Sequence, residues 1–379
     1  MFQIIVITIF TIASTVQLLY WCLVFSKLAF YKTPLISHYP SSIIDTPPSV
    51  SIVICARNEA KNLKNNLPLI LQQQYASPFE VIVVNDASTD ETASILENFA
   101  HQYLHLRIIN ILEKKIKGKK GALAEGIRAA KYDWLLLTDA DCTPLSTGVP
   151  SDSMEWVSDM IKYNNAKDIG LGFSPYKKRD GFLNTFIRYE AVWTAIQYMS
   201  FALAGMPYMG VGRNMLYRKK IYEKAGGFEK HAHIASGDDD LFINSVITEK
   251  NFSIILSFKT FMYSEPNTQW KGYFTQKKRH FTTATSYKLK NKIILGGLSA
   301  SHFFYFVTAV LALTLQISTI FVLTVILVRT LTIGFLYGKI LLKFHDRQLI
   351  WWIPLLDTVY FLFYLVFAPA LVIRTQKWN

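Results

Sequence analysis

Two long stretches without a single Asp, Glu, Lys or Arg bracket a normally charged middle, and this constrains the fold more than any motif does. The first runs from Phe2 to Ser26 and the second from Ile293 to Val328. About 20 apolar residues suffice to cross a bilayer. The basic residues Lys27 and Lys32 follow the first stretch instead of preceding it, the reverse of a secretory signal, so residues 1–27 read as a transmembrane helix. By the positive-inside rule its N-terminus faces away from the cytoplasm. The second stretch and its continuation predict spans near 296–316, 318–341 and 349–373, with a polar break at Gln316–Thr319 and a basic turn at Lys343–Arg347. Four spans would put the C-terminal RTQKWN outside, against the usual bias of basic residues. Arg329 and Asp357 fall mid-span. Lone charges there cost a few kcal/mol or more, so either the two pair or Arg329 snorkels to an interface.

Apolar residues make up 51% of the 379 and charged ones 18%, which excludes disorder. Three cysteines exclude a disulfide scaffold. The net charge of +13 suits an anionic membrane surface or a phosphorylated substrate, and the spans favour these over nucleic acid.

The middle alternates β-rich runs with helical periods. Strands are expected at 49–56, 79–86, 106–112 and 133–141, with helices at Asn58–Gln74, Thr89–His101 and Lys119–Lys131 between them. Such alternation means a parallel sheet covered by helices, an α/β fold whose ligands bind beyond the carboxyl ends of the strands. The polar clusters Arg57-Asn58-Glu59, Asn85-Asp86 and Asp139-Ala140-Asp141 all fall at those ends. No G-x-G-x-x-G and no Walker A loop is present, which argues against dinucleotide and P-loop sites. The uncharged segment from Ala191 to Met209 contains Gln197, Gly205 and Pro207 and reads as a buried or interfacial helix.

Two carboxylates separated by one small residue, as in Asp139-Ala140-Asp141, can share a hard cation such as Mg²⁺ or Mn²⁺ with substrate phosphates. Taken alone, D-x-D is more often a turn or cap; its place at a strand end gives it weight. Asp86 can bind a ribose hydroxyl or a base edge, or merely cap the next helix. Lys119 and Lys120 open a helix whose N-terminus favours anions, or form a solvated basic face. Asp238-Asp239-Asp240 is costly without a cation or proton to offset it, and one of the three could serve as a general base. Gln276-Lys277-Lys278-Arg279-His280 could equally be a juxtamembrane helix on anionic lipid.

In order along the chain, SIVICARNE, VVNDASTD, KKGAL, DAD, GVGRNMLYRK, GDDD and QKKRH resemble the motifs of membrane-bound family-2 glycosyltransferases of the GT-A fold. QKKRH is similar to the Q-x-x-R-W of cellulose, chitin and hyaluronan synthases and ceramide glucosyltransferases. The resemblance covers residues 48–290 and implies a cytosolic Rossmann-like mixed sheet, between one N-terminal and about three C-terminal transmembrane helices in residues 293–373. It implies an inverting transfer of a sugar from a nucleotide-diphosphate sugar to a membrane-associated acceptor, at a bacterial inner membrane. It assigns the donor to Arg57, Asn58, Glu59, Asp86, Lys120 and Asp139, a divalent cation to Asp139 and Asp141, and the general base to Asp239. Asp238, Gln276, Arg279 and His280 would serve the acceptor and the diphosphate. The chain departs from the family pattern at His280, where a Trp is usual, and at Asp238, where a Glu is usual. A processive polysaccharide synthase and a non-catalytic membrane subunit of a glycan export system are the alternatives.

Overall fold

The computed structural model describes residues 1–33, 46–112, 116, 118–144, 154–234, 236–281 and 283–372, with the side chains of 280, 281, 284 and 364–372 outside the description. Its described residues divide into two compact units: those within 32–191 and 208–283 form one, and those within 1–31, 192–207 and 284–372 the other.

The chain opens with α1 (Phe2–Ala29), whose last turns widen into a π-helix at Tyr20–Phe25. The sheet unit follows. Its first strands, β1 (Val50–Ala56) and β2 (Phe79–Asp86), are separated by α2 (Ala60–Leu71). Next come α3 (Thr92–Gln102), β3 (Leu106–Ile111), α4 (Lys119–Ala129) and β4 (Trp134–Asp139). The β-branched runs VSIVICA and FEVIVVND are almost wholly buried, as strands covered on both faces must be. These elements lie within two or three residues of their expected limits.

The rest of this unit comprises β5 (Cys142–Thr143), α5 (Trp156–Tyr163), β6 (Ile169–Leu171), the start of α6 (Phe182–Leu203), whose residues from Val192 on belong to the other unit, β7 (Met215–Arg218) and α7 (Lys219–Lys224). After them come α8 (Asp240–Val246), β8 (Phe252–Ile254), β9 (Tyr263–Ser264) and α9 (Trp270–Phe281). The helix α6 is the element expected to be buried or interfacial, and its side chains from Phe186 to Ala202 are mostly buried. The seven strands of the main sheet run in the order β3-β2-β1-β4-β7-β6-β8. The first four are parallel and β7 is antiparallel to both its neighbours. β5 and β9 form a separate two-stranded ribbon.

Succession from β1 to β3 moves outward on one side, and β4 then joins β1 on the other. The carboxyl ends of β1 and β4 therefore flank the switch point where such sheets bind ligands. Register sharpens this: Cys55 lies opposite Asp139, and Ala56 opposite Asn85. The helix α4 packs closely on these strands because Gly126 has no side chain; a Cβ there would stand 2.6 Å from Val53 Cγ1.

The other unit is built from α1, α10 (Leu289–Thr314), α11 (Thr319–Lys343) and α12 (Ile353–Val372). Among the described residues α1, α10 and α11 are long and apolar enough to cross a membrane. Gln316 and Ser318 adopt left-handed backbone angles in the tight turn between α10 and α11, where the polar break was expected. Arg329 is 3% exposed and donates to Asp357 Oδ2 at 2.8 Å, so these two charges of the apolar helices do pair. The pair is part of a larger network. Arg329 also donates to Gln17 Oε1 at 3.2 Å, the Gln17 amide donates to Ser301 Oγ at 2.8 Å, and His302 Nε2 lies 3.0 Å from Asp357 Oδ1. The guanidinium stacks on Tyr305 at 4.2 Å. All four helices contribute a group.

Removing one partner of a buried ion pair strands the other, at a cost of about 3–5 kcal/mol. Arg329→Leu and Asp357→Leu are each expected to lower the thermal stability of the detergent-purified protein more than the double substitution does. A double variant less stable than either single would show that the pair contributes more than mutual neutralisation.

Candidate active site

The loops after β1 and β2 are stapled together by side chains. Asn58, with φ of 56°, accepts the Thr89 amide on its Oδ1 at 2.8 Å, while its own amide donates to Ser88 Oγ at 3.0 Å. Asp90 accepts the amides of Thr92 at 3.0 Å and Ala60 at 3.2 Å, and hydrogen bonds from Thr92 hold its carboxyl below the ordinary range. Glu59 is pushed up by burial, with Asn62 opposing, and the charges of Asp141 and Asp139 add to the rise. Arg57 is exposed and Asp86 is buried at the end of β2. Arg57, Asn58, Glu59 and Asp86 thus share one edge of the sheet, with Asn58 committed to holding the loop.

β4 ends at Asp139, and the Asn66 amide of α2 fixes the turn by donating to Ala140 O at 3.2 Å. Asp141 accepts the Ser264 hydroxyl at 2.9 Å and the Cys142 thiol at 3.2 Å. Burial, and then the neighbouring Asp139 charge, push its carboxyl up. Lys119, the first residue of α4, reaches Asp139 Oδ1 at 2.6 Å and Asp238 Oδ2 at 3.2 Å. Burial would lower its pKa, but the two carboxylates outweigh that and raise it.

Lys120 points elsewhere. It is 1% exposed, and its ammonium donates to His231 O at 2.7 Å and Ile234 O at 3.1 Å. Of the two lysines that open this helix, Lys119 is therefore the one on the acids, and Lys120 pins the turn before α8.

Three acids arrive from the start of α8. Burial would raise Asp238, but Lys119 outweighs it and holds this carboxyl low. Asp239 is half-buried and caps α8. Its Oδ2 accepts the Gly212 amide at 2.9 Å and its Oδ1 the Asp240 amide at 2.7 Å. Burial, then Asp238 and Asp240, push it up to about 7. Asp240 accepts the Thr283 hydroxyl at 2.5 Å and the Leu241 amide at 2.7 Å, so it is structurally engaged. A pocket between β1, α4, β4 and α8 is lined by Cys55, Lys119, Asp139, Gly212, Asp238 and Asp239.

On α9, Gln276 accepts from Asn267 at 2.9 Å, Arg279 is exposed, and the His280 side chain lies outside the described residues. Lys277, between the named positions, is buried in an ion pair with Glu190. Arg213 was not singled out from sequence. It stacks on Tyr176 at 4.4 Å, donates to Ser174 O at 3.2 Å, and its field reaches Asp141 and Asp139. Gly212 was missed as well; only its amide and its lack of a Cβ matter, and neither shows as chemistry in a sequence.

Among the described residues no three His, Cys, Asp or Glu side chains converge to hold a metal unaided. Asp139 and Asp141 offer oxygen donors only. That fits a hard cation which completes its shell with phosphate oxygens and water.

Residues 51–226 match the family Glycosyl transferase family 2. Over 275 residues the chain is 26% identical to the probable glycosyltransferase YdaM of Bacillus subtilis, a match that takes in 68% of this chain and 63% of that protein. It is 32% identical over 138 residues to the 4,4'-diaponeurosporenoate glycosyltransferase of Staphylococcus aureus, covering 36% of this chain and 34% of that one. The chain thus spans less than two thirds of either relative's length. The mannosyltransferase PcManGT of Pyrobaculum calidifontis, solved in complex with GDP-Man and Mn²⁺, superimposes with a TM-score of 0.56 at 19% identity, over 96% of this chain and 99% of that one. The matched segment contains β1 to β4, the loops that follow them and Lys119 with Asp139 and Asp141, and over it the chain is similar to the family-2 glycosyltransferases, on the GT-A fold.

Proposed function

We propose that the protein transfers a sugar, with inversion, from a nucleotide-diphosphate sugar to a hydroxyl of a membrane-associated acceptor, a lipid, a lipid-linked glycan or a polysaccharide. The observation that carries this reading is Asp239, a half-buried carboxyl with its pKa pushed up to about 7, in the same pocket as Asp139 and Lys119. A base with a pKa near the working pH both exists in its active form and accepts a proton readily. The apolar helices Phe2–Ala29, Leu289–Thr314 and Thr319–Lys343 support a membrane-bound enzyme, with the sheet unit on the cytoplasmic side where Lys27 and Lys32 are expected.

Asp239 would take the proton of the acceptor hydroxyl as its oxygen attacks the anomeric carbon. The bond from that carbon to the diphosphate oxygen breaks on the opposite face, and the nucleoside diphosphate leaves with the electron pair. Asp139 and Asp141 would hold a divalent cation, Mg²⁺ or Mn²⁺, whose chemistry is to neutralise the leaving diphosphate. Lys119 and Arg279 supply further positive charge. Arg57, Glu59 and Asp86, at the carboxyl ends of β1 and β2, would take the nucleoside, and Gln276 the acceptor. PcManGT, a fold relative captured with GDP-Man and Mn²⁺, is consistent with this division of labour.

Asp239→Asn is expected to reduce turnover about 10²–10⁴-fold while leaving nucleotide-sugar binding within about threefold, as removal of a general base should. Transfer of a radiolabelled sugar into extracted lipid or polymer, measured beside donor binding, reads both quantities. Near-normal turnover by the Asn variant would end the assignment. For the wild type, kcat should rise with pH through about 7 as Asp239 loses its proton. A profile flat between pH 5 and 8 would place the base elsewhere.

Gly212→Ala is a subtler probe. The new Cβ would lie 3.1 Å from Asp239 Cβ, so the acid must shift. Turnover should fall about tenfold or more with little change in thermal stability. Normal turnover by this variant would mean that the precise seat of Asp239 is unimportant.

A further inference from the structure

Lys119 and a divalent cation would compete for the same oxygen. The ammonium lies 2.6 Å from Asp139 Oδ1, and Mg²⁺ binds carboxylate oxygen at about 2.0–2.1 Å, so the two cations would stand only about 4 Å apart on that atom and repel each other. Asp141 has one acceptor position left on each oxygen, since Oδ1 accepts from Cys142 and Oδ2 from Ser264. Among the described residues no third carboxylate or imidazole completes a metal set. The protein's own ligands therefore hold a cation poorly unless two things change together: Lys119 leaves Asp139, and phosphate oxygens fill the shell.

A nucleoside diphosphate would do both. Lys119 opens α4, an 11-residue helix, so a diphosphate drawn to that end meets the lysine and the first amides of the helix together. Lysine suits such a move, being a point charge on a flexible stem with no fixed fork to satisfy. Lys120 could not replace it, since its ammonium is buried on two carbonyl oxygens.

We propose that Lys119 is an exchangeable counter-cation, holding Asp139 and Asp238 until the donor's diphosphate draws it off and a divalent cation takes its place on Asp139. This rests on the donor and metal reading given above. It makes the two ligands mutually dependent, since each binds better once the other has helped to displace the lysine.

The test is Mn²⁺ binding by the full chain in detergent, followed through the electron paramagnetic resonance signal of free Mn²⁺, with and without GDP or UDP. The wild type should bind Mn²⁺ weakly alone and at least about tenfold more tightly with a nucleoside diphosphate. Lys119→Met removes a unit charge from beside Asp139. It should raise nucleotide-free Mn²⁺ affinity about tenfold and shrink the nucleotide's enhancement by a similar factor. Lys119→Arg keeps the charge and should keep the wild-type dependence; if the Met variant does not fold, Lys119→Gln makes the same comparison. Suppose Mn²⁺ is taken up beside nucleotide, but a folded Met or Gln variant binds Mn²⁺ alone no better than wild type. The exchange is then wrong and the transferase reading stands. If neither nucleotide brings Mn²⁺ to the wild type, metal-dependent donor binding fails and the exchange fails with it.

Discussion

The strand β1 hydrogen-bonds to β2 on one side and β4 on the other over nearly its whole length, and the site depends on that double pairing. The register carries Cys55 alongside Asp139 and Ala56 alongside Asn85, which brings three loops to one edge of the sheet. A slip of one residue would turn the side chains of a strand to the opposite face, and here both faces are packed. Ile52, Ile54, Val81, Val83 and Leu136 belong to one buried cluster under α2, so the apolar pattern that builds the core also fixes where the acids emerge.

What emerges is a concentration of negative charge that the fold balances only in part. Asp139, Asp141, Asp238, Asp239 and Asp240 gather around Lys119, which bonds two of them, Lys120, whose field reaches the last three, and Arg213, whose field reaches the first two. The imbalance has a use. Lys119 holds Asp238 in its charged form, and that charge, together with burial and Asp240, pushes the adjacent Asp239 up to about 7. Two neighbouring carboxyls driven in opposite directions can do different work, one as a fixed anion and the other as a proton acceptor. The Gly212 amide limits the rise, since a hydrogen bond to the charged form opposes the effect of burial.

Much of this was legible in the sequence where the signal is local. Apolar runs of strand length located β1, β2, β3 and β4, and a D-x-D at the end of such a run placed the acids at the ligand edge. Where the signal depends on distant partners, reading failed or stayed open. Lys119 and Lys120 look alike in KKGAL, yet successive helical residues point about 100° apart, so one meets Asp139 and the other the carbonyl of His231. Which is which depends on how α4 is rotated against the sheet, and Gly126, which lets it approach Val53, settles that. The parts played by Arg213 and Lys277 were not legible for the same reason: their partners, Tyr176 and Glu190, lie 37 and 87 residues away in sequence.

The pairing of Arg329 with Asp357 was readable because a charge inside an apolar helix leaves few alternatives. The same rule explains the rest of the network, which sequence could not supply. A guanidinium carries five N–H donors, more than one carboxylate can satisfy, so Gln17 and the face of Tyr305 take part of the remainder. Asp357 in turn has an oxygen left for His302. Each unmet group recruits the next, until the Gln17 amide ends the chain on Ser301. Apolar contacts between α1 and α10, such as Phe10 on Tyr305, would tolerate sliding by a turn. Directional bonds from one arginine to two other helices would not, and the polar residues therefore set the register of helices that packing alone would leave loosely specified.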